Sequence, residues 1–201
     1  MKKSKKQDFY YEKNNKLIYQ YGFFKVIRYI FFQPNKKFSV RGLARQINIS
    51  HSSAGEYLKN LKKKDMLTHE QIGNTYQYKI NQNHPLVKEW KRILFLEELF
   101  NAKTVEEINN ILGKDKVEAI LLYGSMAKGT ADEKSDIDIL VISKSTKKMN
   151  TLNLEGKLYR ETNITVLSPF EWKQKAKKQK PFYEDVILNS IVLYGEKPVV
   201  L

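Results

Sequence analysis

The chain of 201 residues has no cysteine, so disulfides, thiolate catalysis and cysteine-ligated metal sites are excluded together. It also lacks any apolar run approaching the roughly 20 residues that span a bilayer as a helix. Its first segment, MKKSKKQDFYYEKNNK, is basic and has no apolar core of the kind a signal peptide needs. No membrane partner is expected, the expected location is cytoplasmic, and residues 1–16 read as a basic disordered tail. Histidine is scarce too. His51, His69 and His84 each stand apart from any metal-ligand partner at useful spacing, so they read as exposed, capping or boundary residues.

What the chain has in excess is positive charge, and it is unevenly placed. Residues 1–100 carry 20 Lys and Arg against 8 Asp and Glu, an excess of 12, whereas residues 101–201 carry 16 against 14, an excess of 2. A basic excess confined to one half points to a polyanionic partner for that half, nucleic acid or an anionic surface, or to a solvated lysine-rich face.

The basic half has a helical grammar. Tyr21 to Phe32 has apolar residues at helical spacing and stops before Pro34. Ser39 offers an N-cap for a short helix with Val40, Leu43, Ala44 and Ile47 on one face. Ser50 can cap a third helix, HSSAGEYLKNLKKKDML, in which Ala54, Leu58, Leu61 and Leu67 point inward and His51, Ser52, Ser53, Lys59, Lys62 and Lys63 outward. Two alternating runs around Gly73-Asn74 then predict a hairpin.

This order over Tyr21 to Ile80 resembles the winged helix-turn-helix domain of bacterial and archaeal transcription regulators. The resemblance rests on pattern over about sixty residues, and it implies a double-stranded DNA partner. Ser52, Ser53, Lys59 and Lys62 would then face the major groove or its flanking phosphates, and Lys79 or the hairpin tip the backbone. Domains of this shape also serve as protein-protein modules. From Pro85, PLVKEWKRILFLEELF reads as a helix whose apolar face includes Leu86, Trp90, Ile93, Leu94 and Phe100, packing the two domains together or packing on its copy in a homodimer.

The second half predicts a helix after a Thr104 cap, ending at Gly113, and then a buried strand, VEAILLYG. A tight turn at Gly124-Ser125 and a polar segment lead to a second strand, IDILVIS, at whose start the run SDIDI sets two acids two residues apart. Gly124-Ser125 followed by Asp136-Ile137-Asp138 resembles the motif of the DNA polymerase beta superfamily, in its minimal-nucleotidyltransferase form. The resemblance spans roughly Thr104 to Gly195. Residues two apart on a strand share a face, so Asp136 and Asp138 can both ligate a hard cation while Ile137 points into the core.

The resemblance implies magnesium and a nucleoside triphosphate, with Asp136 and Asp138 as the metal-holding and catalytic pair. Gly124, Ser125 and Lys128 would be the nucleotide-binding residues: Gly124 lets the backbone approach the phosphates, Ser125 adds a hydroxyl and an amide, and Lys128 could hold the beta or gamma phosphate. The implied reaction is in-line attack on the alpha phosphorus with release of pyrophosphate.

One departure stands out. The family places a third carboxylate in the middle of the third strand, and NITVLSP puts Thr165 there. A threonine cannot ionise, so a two-carboxylate site can keep the nucleotide-associated magnesium while the cation that activates the acceptor binds weakly or not at all. Glu161 would lie about 13 Å away along the strand.

The expected fold is α+β: an N-terminal winged helix-turn-helix of three helices and a β-hairpin, joined by a helix to a C-terminal α/β nucleotidyltransferase-fold domain with a small mixed sheet. The expected domains are 17–84, the connecting helix 85–102, and 103–201. Three readings remain open: an active transferase carried to a target by a DNA-binding domain, a transcription regulator that senses a nucleotide without turnover, or an antitoxin-like module that engages a protein partner.

Overall fold

The computed structural model describes residues 21–145, 147, 149, 152–158 and 160–200. The tail 1–16 and residues 17–20, the start of the expected first domain, lie outside the described residues. The chain divides into two compact units, Met1–Val87 and Lys88–Leu201.

In the first unit, α1 (Gly22–Phe31) buries Val26, Ile27, Tyr29, Ile30 and Phe31. Ser39 caps α2 (Val40–Ile47) by accepting the Gly42 N–H at 3.1 Å, and Asn48 ends it in the left-handed region at φ 53°. Ser50 caps α3 (His51–Lys63) by accepting the Ser53 N–H at 3.0 Å. The third helix is shorter than the sequence pattern predicts. Asp65 takes φ 55°, which a right-handed helix cannot continue. Leu67 is buried as the first residue of β1 (Leu67–Ile72), not as the last turn of a helix.

Strand β1 pairs antiparallel with β2 (Thr75–Ile80), from Leu67↔Ile80 to Ile72↔Thr75. The loop between them is Gly73-Asn74, with Gly73 at φ 58° as the tight turn requires. Phe38 adds a third rung: its N–H and C=O each bond Tyr78 at 2.8 Å. The core beneath is Ile27, Ile30, Leu43, Ile47, Ala54, Leu58, Leu61 and Ile80.

Helix α4 (Pro85–Asn101) crosses the division between the units. In the second unit, α5 (Thr104–Leu112) starts one residue earlier than the pattern predicts. Thr104 is the first helical residue and is buried, and the cap position is Lys103, held at φ 55° with no side-chain cap bond. Gly113 ends the helix.

Four strands, β3 (Val117–Tyr123), β4 (Ile137–Ser143), β5 (Thr162–Leu167) and β6 (Ile191–Gly195), form a mixed sheet in the order β5-β4-β3-β6. Only β4 and β5 run parallel. Ala119, Leu121, Leu140 and Ile142 pack on one face with Trp172 of α8 (Pro169–Lys178) and Val186 of α9 (Lys180–Asn189). A capping box of Ser168 and Glu171 starts α8. The intervening residues Ile120, Leu122, Ile139 and Val141 are fully buried, as sheet alternation requires when both faces are covered. The short helices α6 (Gly124–Ala127) and α7 (Leu152–Leu158) complete the unit.

Beyond β6 the chain is pinned to the helices on the first face. The Trp172 indole donates to the Pro198 carbonyl at 2.6 Å, and the Tyr183 hydroxyl accepts the Val200 N–H at 2.8 Å.

Candidate functional site

Pairing of β3 with β4 sets Tyr123 directly opposite Asp138, so the glycine turn that follows Tyr123 closes over the aspartate. Gly124 sits at φ 74°, and a Cβ built there would lie 2.4 Å from Asp138 Oδ2. Only glycine combines that backbone angle with that approach.

Between turn and aspartates the loop is tied to its surroundings at several points. The Ser125 carbonyl accepts the N–H groups of Thr130 at 3.0 Å and Ala131 at 3.2 Å. Asp132 Oδ1 accepts from the Lys134 N–H at 2.9 Å and the Ser135 hydroxyl at 3.0 Å. Burial alone would raise the Asp132 pKa, but these bonds and the nearby Lys91 charge hold it below the usual carboxylate value. Buried Lys91 of α4 donates to the Ala131 carbonyl at 2.7 Å; desolvation lowers its pKa, and Asp132 opposes that shift. Arg160 donates to the carbonyls of Asp132 and Glu133 at 3.1 Å and of Ser135 at 3.2 Å. Neither Lys91 nor Arg160 announces itself in the sequence, since each acts on a backbone carbonyl far along the chain.

Asp136 and Asp138 lie close enough to feel each other. Burial pushes the Asp138 carboxyl up, Asp136 pushes it further, and the Asn163 side chain pulls it down. Asn163 stands opposite Asp138 on the parallel strand and approaches its Oδ1 at 3.4 Å through Nδ2. A divalent cation would relieve the repulsion between the two carboxylates, and the donors are all hard oxygens or can present one. The two carboxylates fit a hard cation such as magnesium, which Asp136 and Asp138 would hold.

Thr165 lies on β5 opposite Leu140, one face-sharing position beyond Asn163. Its hydroxyl lies near enough to the Tyr123 hydroxyl to act on its titration. Desolvation raises the Tyr123 pKa, the Thr165 side chain lowers it, and Asp138 raises it. Glu161 precedes β5, and its carbonyl accepts the Ile137 N–H at 2.9 Å. Among the described residues no cluster of three His, Cys, Asp or Glu side chains could hold a metal ion. Lys128 at the end of α6 is ion-paired with Asp185 of α9 at 2.6 Å, a partner that the sequence gives no means of finding.

On the first unit, Ser52 and Lys59 are exposed, and Ser53, Lys62 and Lys79 are half-buried. Both serine hydroxyls are engaged with the cap: Ser50 Oγ lies 3.0 Å from Ser52 Oγ and donates to Ser53 Oγ at 2.8 Å. Arg41 and Arg45 of α2 line a groove with Asn48 and His51 beside the start of α3, and sequence reasoning passed over both. Their helical spacing of four on the face opposite Leu43 and Ile47 is the signal that could have found them.

The geometry is thus a glycine turn closed over Asp138 at the start of β4, with Asp136 just before that strand, on a small mixed sheet. The polymerase beta nucleotidyltransferase family model matches residues 106–198. A Methanocaldococcus jannaschii protein named "putative protein adenylyltransferase" is 40% identical over 87 residues, which cover 43% of this chain and 79% of that one. The chain belongs to the polymerase beta nucleotidyltransferase family.

Two solved structures are also similar. A "putative nucleotidyltransferase" from Sulfolobus solfataricus is 20% identical, covering 54% of this chain and 87% of that one, at a TM-score of 0.32. A toxin-antitoxin complex with AMP-PNP is 20% identical, covering 46% of this chain and 73% of that one, at 0.30. Among the described residues no helix is long and apolar enough to cross a membrane.

Proposed function

We propose that the second unit binds a magnesium-nucleoside triphosphate through Asp136, Asp138, Gly124, Ser125 and Lys128, and transfers its nucleotidyl group to an acceptor. The observation that carries this reading is the Asp138 carboxylate lodged under the Gly124 turn with Asp136 beside it. Magnesium bound there would neutralise triphosphate charge and favour departure of pyrophosphate. The chain's own residues do the placing. Lys91 and Arg160 fix the loop that sets the aspartates, and Lys128 can exchange Asp185 for a phosphate oxygen.

The relative named as a protein adenylyltransferase makes ATP the first donor to try and a protein hydroxyl the first acceptor. Incubation with magnesium and each nucleoside triphosphate, followed for pyrophosphate and for labelled protein, tests the reading. Transfer that Asp138→Ala abolishes supports it, and no transfer to any acceptor tried counts against it. The second reading, nucleotide binding without turnover, is favoured by Thr165 at the position of the third family carboxylate.

For the first unit, the helix order, the Phe38 rung and the hairpin support a winged helix-turn-helix that binds duplex DNA, with the protein acting as a transcription regulator. Ser52, Ser53, Lys59, Lys62 and Lys79 would make the contacts, joined by Arg41 and Arg45. Binding should weaken steeply as salt rises. Duplex affinity that is indifferent to salt would remove DNA from the account and leave protein partners.

A further inference from the structure

The site's carboxylates are Asp138 on β4 and Asp136 just before it, and β5 carries none. The register of β5 shows what that strand offers instead. Asn163 is directly opposite Asp138, exposed, and 3.4 Å from it, a contact at the long limit of a hydrogen bond. Thr165 is one face-sharing position further along, opposite Leu140 rather than Asp138.

We infer that Asn163 supplies the third protein ligand of the cation, a neutral amide oxygen beside the carboxylates of Asp136 and Asp138, and that Thr165 takes no part. An asparagine amide can turn about its last torsion to present oxygen in place of nitrogen, and hard divalent cations accept carbonyl oxygens readily. The loose 3.4 Å contact leaves that rotation unopposed. A cation between Asp138 and Asn163 replaces a weak N–H to carboxylate bond with two oxygen-metal bonds. The protein's share of the site then carries two negative charges rather than three, so cation binding leans on the nucleotide's own phosphates.

The inference rests on the proposed cation-nucleotide site, and the test separates the two. Mn2+ with α,β-methylene-ATP, which resists transfer, is titrated by electron paramagnetic resonance into the full chain and its variants. Asn163→Ala should weaken Mn2+ binding about tenfold and Asn163→Asp tighten it by a similar factor, while Thr165→Ala should stay within about twofold. Protein grown with asparagine carrying 13C at the side-chain carbonyl should show a 13C hyperfine coupling that Asn163→Ala abolishes. An amide that only bonds Asp138 would hold that carbon outside the ligand shell and give no such coupling. Mn2+ affinity unchanged by Asn163→Ala, or Thr165→Ala as damaging as Asn163→Ala, overturns the inference. If wild type binds Mn2+ and Asp138→Ala does not, the site itself still stands. If wild type binds none, both fall.

Discussion

The two units carry their chemistry differently. In the first, basic side chains are spread over α2, α3 and β2, and in the proposed duplex complex each is one of several that would meet a phosphate. In the second, the proposed function hangs on a few atoms: one glycine without a Cβ, two carboxylates, and the loop bonds beside them. A surface that works by summed charge should degrade gradually on mutation, and a site that works by fixed geometry should fail at single positions.

The sharpest test of that contrast is Asp138→Ala, which should weaken Mn2+-nucleotide binding by more than about 100-fold, since losing even an outer partner of a metal ligand costs up to that much. Lys91→Ala removes both a buried stem and the donor to the Ala131 carbonyl, and should cost about 2–4 kcal/mol in denaturant unfolding. Gly124→Ala should cost about 1–3 kcal/mol through its positive φ, together with most nucleotide affinity. Lys62→Ala on the other unit should lower duplex affinity only about fivefold and reduce the salt slope by about one. A Lys62 effect as large as that of Asp138 would erase the distinction.

The smallest effect expected is that of Asp185→Asn, less than about 1 kcal/mol, because the pair with Lys128 is solvent-accessible. The hydrogen bond from Lys128 holds Asp185 below the usual carboxylate range. Its contribution is therefore present above the unfolded carboxylate pKa and lost as pH falls through the folded one, so variant and wild type should converge in acid. Nucleotide affinity should rise in this variant if Lys128 is then free to meet phosphate, and isothermal titration reads that directly.

Much of the frame was legible because it follows local rules. Ser39 and Ser50 cap helices where their spacing to the apolar runs predicts, and Gly73-Asn74 turns the hairpin. The sites of error were also local. Leu67 continues a helical period but begins a strand, because Asp65 breaks the backbone between them, and Thr104 looked like a cap but is buried as the first helical residue. The candidate site was half legible. Gly124, Ser125, Asp136 and Asp138 form a motif contiguous enough to read, whereas Asn163, Tyr123, Lys91, Arg160 and Asp185 reach it only through sheet register or tertiary packing.

The tie between Trp172 and Pro198 gives the molecule an optical gauge of its own. The chain has two tryptophans, and Trp172 is the one whose indole is bonded to the segment beyond β6, in ring contact with Phe182 and Tyr183. With Trp90 replaced by phenylalanine, emission from Trp172 alone would report whether that segment is docked. Because Phe182 also touches Tyr123, the same signal would register a rearrangement beside Asp138 with no label attached.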